Sequence, residues 1–544
     1  MINYQHLISN VYIEEHNTTS ISSLINSSSF FELHKFHFHH RLQRYDTTNE
    51  IINYYLSFEN VYECYRRIFT NNDFKFTIYE KKLLSLYTNS FSSMWIDLKK
   101  FLLIEFSEVT DNYDVFYNTQ RIYDFFFRTI EKICNQNHKF NVFHSNNSFN
   151  SILYYSHKKN EICTGINVNY ITKIITITPY MSNTYSNTRS GLFKESNEKI
   201  TIEAIKNGKD WIKSGFWVGK LKALVLVNKI YINHFIGLSV LFENILDEEA
   251  EYDLVLLFGI DNQDIDGKIY TDVENNQLYG AIAYSRKNDY FGYLKKMLLT
   301  MHNIYYIKKK QLPIHGAMVK ILLINGRSFN IVIIGDSGAG KSESLEAFRT
   351  ISNNVVKDMT VIFDDMGVFI ENQNEIRAFG TETGAFVRVD DLDTSYTLKQ
   401  INMGVFINTD RINSRVIVPV TSFENVIRGE IIDYVFYANN YENNSNSLHI
   451  FENIDEAIHI FEKGERVAKG TTSEIGMVSN YFANPFGPVQ LKDETSIILN
   501  EIFKKLSSNG AIFGELFTKL AIDGFQIEGP RKAANELLEL LLKK

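Results

Sequence analysis

The chain has 544 residues, too many for one core, and its 44% hydrophobic and 22% charged residues are those of a globular protein of two to four domains. Its 56 lysines and arginines against 64 aspartates and glutamates leave a formal net charge of −8, which excludes a general nucleic-acid or anionic-membrane surface, since either needs a basic excess. Three scattered cysteines, Cys64, Cys134 and Cys163, form no C-x-x-C pair, so neither a disulfide framework nor a zinc cage is indicated. With no basic and apolar leader, and no apolar run near the ~20 residues a bilayer requires, the sequence predicts a cytoplasmic protein without a membrane partner.

From about Ile51 to Cys134, apolar and aromatic residues recur at three-four spacing, as in Ile51, Tyr54, Tyr55, Phe58, Val61 and Tyr62. That spacing predicts helix-packing faces and a helical domain over 1–145. Asparagine-rich 135–150 reads as a linker. Strand patterns follow in Ile171–Thr178, Leu221–Val227 and Asp253–Phe258, which predicts an α+β domain over 146–310. Only Pro179 of the six prolines precedes residue 313, and a third domain, 311–544, ends in a helical pattern from Ala533 to Leu542.

The third domain opens with the strongest local signal. The apolar strand Ile331-Val332-Ile333-Ile334 runs into Gly335-Asp336-Ser337-Gly338-Ala339-Gly340-Lys341-Ser342, a G-x-x-x-x-G-K-S pattern, and a helical pattern follows. Glycines let backbone N–H groups face an anion, and the helix start near Lys341 directs its positive end at phosphates. Lys341 is expected to reach the β- and γ-oxygens and Ser342 to ligate Mg²⁺. The strand Met359–Phe363 ends in Asp364-Asp365, acidic groups placed for a nucleotide-bound Mg²⁺.

Other groups are weak singly. His315 opens the strand before the loop's strand, Lys295-Lys296 follow a Gly turn and open a helix, and Arg388 and Arg415 stand at strand edges. In order, Tyr290, Lys295-Lys296, His315, the Gly335–Ser342 loop, Asp364-Asp365, Gly384 to Arg388, Arg415 and Tyr481-Phe482-Ala483-Asn484-Pro485-Phe486-Gly487 resemble the ATP-dependent phosphoenolpyruvate carboxykinase family over about 280–490.

The resemblance implies an α/β fold with a carboxykinase-like P-loop nucleotide-binding domain on a mixed sheet, preceded by an α+β substrate domain and an extra helical N-terminal region. It implies conversion of oxaloacetate and ATP to phosphoenolpyruvate, ADP and CO₂, with Mg²⁺ on the nucleotide and Mn²⁺ at the substrate. Carried over by position, Lys296, His315 and Asp365 would hold the second ion. Lys341 and Arg388 would neutralise the γ-phosphoryl, while Arg415, Lys295 and Tyr290 would meet the substrate. Arg189, in Thr188-Arg189-Ser190-Gly191, partly echoes the family's N-terminal substrate arginine.

The loop departs from the family's usual Gly-Leu-Ser-Gly-Thr-Gly-Lys-Thr, and with Ile314-His315-Gly316 upstream it equally resembles the HPr kinase/phosphorylase group. A P-loop kinase of a protein serine or small metabolite is therefore the alternative. A nucleotide-binding regulator without turnover, with the helical front domain meeting a protein partner, is the third reading.

Overall fold

The computed structural model describes residues 151–543 except 156–167, 177–179, 188–190, 206–210, 246, 248–249, 352–354, 374, 390–403, 409–412 and 469–475, together with 31, 35, 59, 60 and 63. Apart from those five positions, the expected helical domain over 1–145 lies outside the described residues, as do its linker, the three cysteines and Arg189. Chain contacts give two compact units, one of Met1–His144, Phe149–Ile152 and Ile175–Ile177 and one of the remainder. The second unit contains both 153–174 and 178–544.

This unit is mixed α/β, with several mixed sheets and seven α-helices among the described residues. None of those helices is long and apolar enough to cross a membrane. In the first sheet, β1 (Trp211–Val218) and β2 (Leu221–Asn228) form an antiparallel hairpin. Next come β3 (Leu254–Ile260), parallel to β2, and β4 (Gln277–Ala283), parallel to β3. Every residue of β3 is buried, which explains its unbroken apolar run in place of an alternating pattern.

The helix α1 (Phe291–Lys308) then leads into the second sheet. Fifteen of its 18 residues are buried, including Lys295 at 2% and Lys296 at 6% exposure. Paired lysines are commonly solvated, but this helix is enclosed nearly all round, and its charges must find partners inside.

The second sheet is built on the 12-residue strand β5 (Leu312–Leu323). Along one edge β5 pairs antiparallel with β6 (Ser328–Ile334). Along the other edge it takes two strands in turn, β7 (Val356–Phe363) opposite Met318–Leu323 and β8 (Met366–Asn372) opposite Leu312–His315. The chain passes between β7 and β8 at Asp364-Asp365, so the acidic pair lands beside His315. β5 separates β7 from the loop strand β6. From β8 the chain turns into β9 (Glu375–Gly380). β6 also pairs in parallel with β10 (Tyr434–Asn439), and β10 with β11 (Ile512–Phe517).

The helices α2 (Lys341–Ile351) and α4 (Glu528–Lys543) cover one face of this sheet, and α3 (Lys492–Ser508) lies on the other. Leu345 and Phe348 of α2 pack with Leu537 and Leu541 of α4 over Ile331, Ile333 and Phe436. Ile502 and Phe503 of α3 pack under Val332, Ile334 and Val435. Each such side chain, fully buried, contributes roughly 2 kcal/mol. Because β6 is covered on both faces, the loop that leaves its end has a rigid base.

In a smaller sheet 415–419 pairs with 384–388 along one edge and with 405–407 along the other, and 405–407 in turn runs parallel to Tyr180–Ser182.

Candidate phosphate-loop site

Gly338 and Gly340 adopt φ of 79° and 100°, conformations that favour glycine. A Cβ on Gly340 would stand 2.6 Å from Thr518 Oγ1. That hydroxyl donates to the Ala339 carbonyl at 2.7 Å, and Asn440 Nδ2 donates to the Gly338 carbonyl at 3.0 Å. The loop is thus held from the ends of β10 and β11. Lys341, 6% exposed, spans it by donating to the Gly335 and Asp336 carbonyls at 2.7 and 3.3 Å.

Ser342 Oγ lies 3.4 Å from Asp364 Oδ1, so two residues far apart in sequence meet at the start of α2. Burial, and then the charge on Asp365, push the Asp364 carboxyl up against the pull of Lys341 and Lys295. A cation between Ser342 and Asp364 would relieve that charge, and Mg²⁺ with one carboxylate and nucleotide phosphates has this donor set. Among the described residues, no group of three or more His, Cys, Asp or Glu side chains is placed to hold a metal ion. Any ion here would complete its shell from phosphate and water.

Beside this lies a second group of charges. His315 is fully buried, its Nδ1 donates to the Ala483 carbonyl at 2.8 Å, and its Nε2 lies 3.0 Å from Asp365 Oδ1. Because a carbonyl can only accept, Nδ1 is the nitrogen that donates to Ala483, and Nε2 is the one that faces Asp365. Asp365 itself has φ of 88°, an uncommon conformation for a residue with a Cβ, and its carbonyl accepts from Gly316 N at 2.9 Å. Backbone strain therefore aims this carboxylate.

Lys295 Nζ lies 2.6 Å from Asp365 Oδ2 and 3.0 Å from Glu382 Oε1. Burial opposes the ammonium, but Asp365 and Glu382 outweigh it and hold Lys295 up. Burial likewise works against the charge on Asp365, yet Lys295 and His315 hold it well below the usual carboxylate range. Glu382, 2% exposed, is pushed up to about 8, by burial first and by Asp365 after that, although Lys295 pulls the other way. Its contact with Lys295 is ionic in distance, but among the described residues no donor is aligned as a hydrogen bond on either Glu382 oxygen.

Lys296, the amine expected beside His315 and Asp365, donates to the Gly191 carbonyl at 2.7 Å and lies 5.9 Å from the ring centres of both Phe193 and Phe486. The Phe486 ring stands edge-on to His315 at 5.6 Å, so Lys296 and His315 flank one ring. It is Lys295 that touches Asp365.

The other expected residues gather around Phe386. Tyr290 lies 6.2 Å from that ring, the Arg415 guanidinium 5.6 Å and the Lys295 ammonium 5.9 Å. Arg388 and Arg415 are direct cross-strand partners.

No protein-family model and no curated protein matches this chain. The chemistry rests on the residues themselves. His315 Nε2 with Asp365 fits a divalent cation. Lys296, the amine of the expected trio, fits less well because it donates to the Gly191 carbonyl, and Lys295, which does meet Asp365, is held charged.

Sequence reasoning did not single out Glu382, Phe386, Arg466, Asn480 or Thr518 as site residues. Asp336, grouped with the phosphate-binding loop, proves to be 4% exposed and ion-paired with Arg466 at 2.9 Å. Burial opposes its charge, but His315 and Arg466 hold its carboxyl low. The available signal was slight, Glu382 standing alone between Thr381 and Thr383 and Arg466 following Glu465 in Glu465-Arg466-Val467.

Proposed function

We propose that this chain is an ATP-dependent phosphoenolpyruvate carboxykinase on a carboxykinase-like P-loop fold. It would convert oxaloacetate and ATP to phosphoenolpyruvate, ADP and CO₂ in the cytoplasm. The observation that carries the reading is the junction of β7 and β8, where Asp364 meets Ser342 of the phosphate loop and Asp365 meets His315 and Lys295. A nucleotide site and a second charged site thus share one dipeptide.

In this reading Lys341 neutralises the β- and γ-phosphoryl oxygens, and the loop N–H groups bind the remaining charge. Arg388 and Arg415 hold the anionic substrate against Phe386, with Tyr290 closing the same wall. Loss of the substrate's carboxylate as CO₂ leaves an electron pair as an enolate, whose oxygen attacks the γ-phosphorus as the bond to ADP breaks. Lys295 and Lys296 place positive charge where that enolate develops. Mg²⁺ held by Ser342 and Asp364, and Mn²⁺ held by His315 and Asp365, would supply Lewis acidity when bound.

One observation favours a second reading, a P-loop kinase of a protein serine or small metabolite. Both lysines are committed, Lys295 to Asp365 and Lys296 to Gly191, whereas a plain kinase needs no neutral amine. The test is incubation of purified protein with oxaloacetate, ATP, Mg²⁺ and Mn²⁺, following phosphoenolpyruvate by ³¹P resonance. Its formation supports the first reading; ATP turnover only with a hydroxyl acceptor supports the second.

A further inference from the structure

The carboxylate of Asp336 is tied on several sides. Oδ1 accepts from Ser337 N at 2.7 Å, and Oδ2 accepts from Asn480 Nδ2 at 2.7 Å and lies 2.9 Å from Arg466 Nε. Asp336 Oδ1 is also 3.5 Å from His315 Nδ1. Asn440 Nδ2 joins the hairpin that carries Arg466 to the loop by donating to both the Val467 and Gly338 carbonyls, at 2.9 and 3.0 Å.

The segment that begins at Asn480 returns to His315. Phe482 and Ala483 are fully buried and both left-handed, with φ of 54° and 48°. For residues with a Cβ, each such conformation costs of order 1–3 kcal/mol and persists only where the surroundings impose it. Here they turn the Ala483 carbonyl onto His315 Nδ1 at 2.8 Å. Downstream, Asn303 Nδ2 donates to the Phe486 carbonyl at 2.5 Å, fixing the ring that lies edge-on to His315. One short stretch of chain is therefore bonded to the phosphate loop at one end and to the imidazole at the other.

We propose that Asp336, Asn480 and the left-handed Phe482–Ala483 turn form a strut that couples the seating of a nucleotide's phosphates on the loop to the orientation of His315. The strut rests on the reading of the loop and of His315 with Asp365 as nucleotide and cation sites. Asp336 and Asn480 are positioning residues: they act on the Ser337 amide and, through the turn, on the imidazole. The two sites then fill cooperatively, each lowering the cost of ordering the other.

The test measures linkage in the full chain. Exchange-inert Cr³⁺·ADP occupies the phosphate loop, and Mn²⁺ binding is followed by the electron paramagnetic resonance of the free ion, with and without Cr³⁺·ADP. In the wild type, Cr³⁺·ADP is expected to tighten Mn²⁺ binding about tenfold. In Asn480→Ala the ratio should fall to within about twofold of unity, with Cr³⁺·ADP affinity changed by less than about threefold. Asn480→Asp, equal in size but repelled by Asp336, should uncouple in the same way, and a thermal melt checks that both variants fold. A purely structural role would weaken both ligands together and keep the ratio. A ratio unchanged in both variants, or no linkage in the wild type, overturns the strut alone. A wild type that binds neither Cr³⁺·ADP nor Mn²⁺ overturns the functional reading, and the strut with it.

Discussion

Lys295 on α1 reaches across to Asp365 at the junction of β7 and β8, with Nζ 2.6 Å from Oδ2. The lysine side chain is 2% exposed and the aspartate 31%, so the pair is enclosed on the cationic side. Removing one partner of such a pair leaves the other uncompensated. Lys295→Met is expected to cost about 3 kcal/mol, the low end for a buried pair because Asp365 keeps some water. Asp365→Asn should also destabilise, and the double variant should lose at least about 1 kcal/mol less than the sum of the singles. Urea unfolding of the four proteins checks this, and strict additivity would count against the pair.

Glu382 gives a pH dependence of defined sign. Its carboxyl is pushed up to about 8 in the folded chain from an ordinary 4.5, so across that window the folded state binds more protons than the unfolded one. Stability contributed by protonated Glu382 is full below pH 4.5 and is lost as pH rises toward 8. Glu382→Gln, which mimics the protonated form, should flatten that decline, with a gain over wild type of order 2–4 kcal/mol at pH 9 and little difference at pH 5. Denaturant melts across this range decide it. A gain that grows toward low pH would reverse the assignment.

Two lysines should separate the two halves of the site. Lys341 spans the phosphate loop, so Lys341→Ala should lower phosphoryl transfer by about 10²–10³ and weaken ADP, as removal of one oriented donor does. Lys296 lies near the Phe486 ring that also meets His315, and Lys296→Met should leave ADP affinity within about twofold while abolishing decarboxylation, an effect confined to the substrate. Calorimetric titration with Mg·ADP, paired with the phosphoenolpyruvate assay, reads both. Equal loss of ADP binding in the two variants would contradict the division.

The sequence made the phosphate loop legible because its information is local: a buried β-branched strand, glycines at positive φ and a helix start are all specified within a dozen residues of Gly335. Asp364-Asp365 was legible as an acidic pair but not in its placement, which depends on β7 and β8 both pairing with β5. Helix geometry decided which lysine meets Asp365. Neighbours on a helix point about 100° apart, so a motif of adjacent lysines fixes the pair without fixing the contact. Glu382 and Arg466 were hidden because their burial follows from strands brought together over long separations. Asp336 was legible as part of the loop motif, whereas the partners of its carboxylate, Arg466 and Asn480, come from a distant stretch of chain.

Gly340 offers the most stringent test of the loop, because conformation and space both forbid a side chain there. Its φ is 100°, and an added Cβ would lie 2.6 Å from Thr518 Oγ1 and 2.7 Å from Thr518 Cβ. The strain is independent of Thr518, whereas the clash is not. Gly340→Ala should therefore cost about 2–3 kcal/mol, combining the left-handed penalty with displacement of β11's end. Adding Thr518→Gly removes the clashing side chain and should recover part of the Mg·ADP affinity but only a fraction of the stability, because the φ penalty persists and the hydroxyl's bond to Ala339 is lost. Full recovery of both in the double variant would show that contact, and not backbone conformation, fixes the loop.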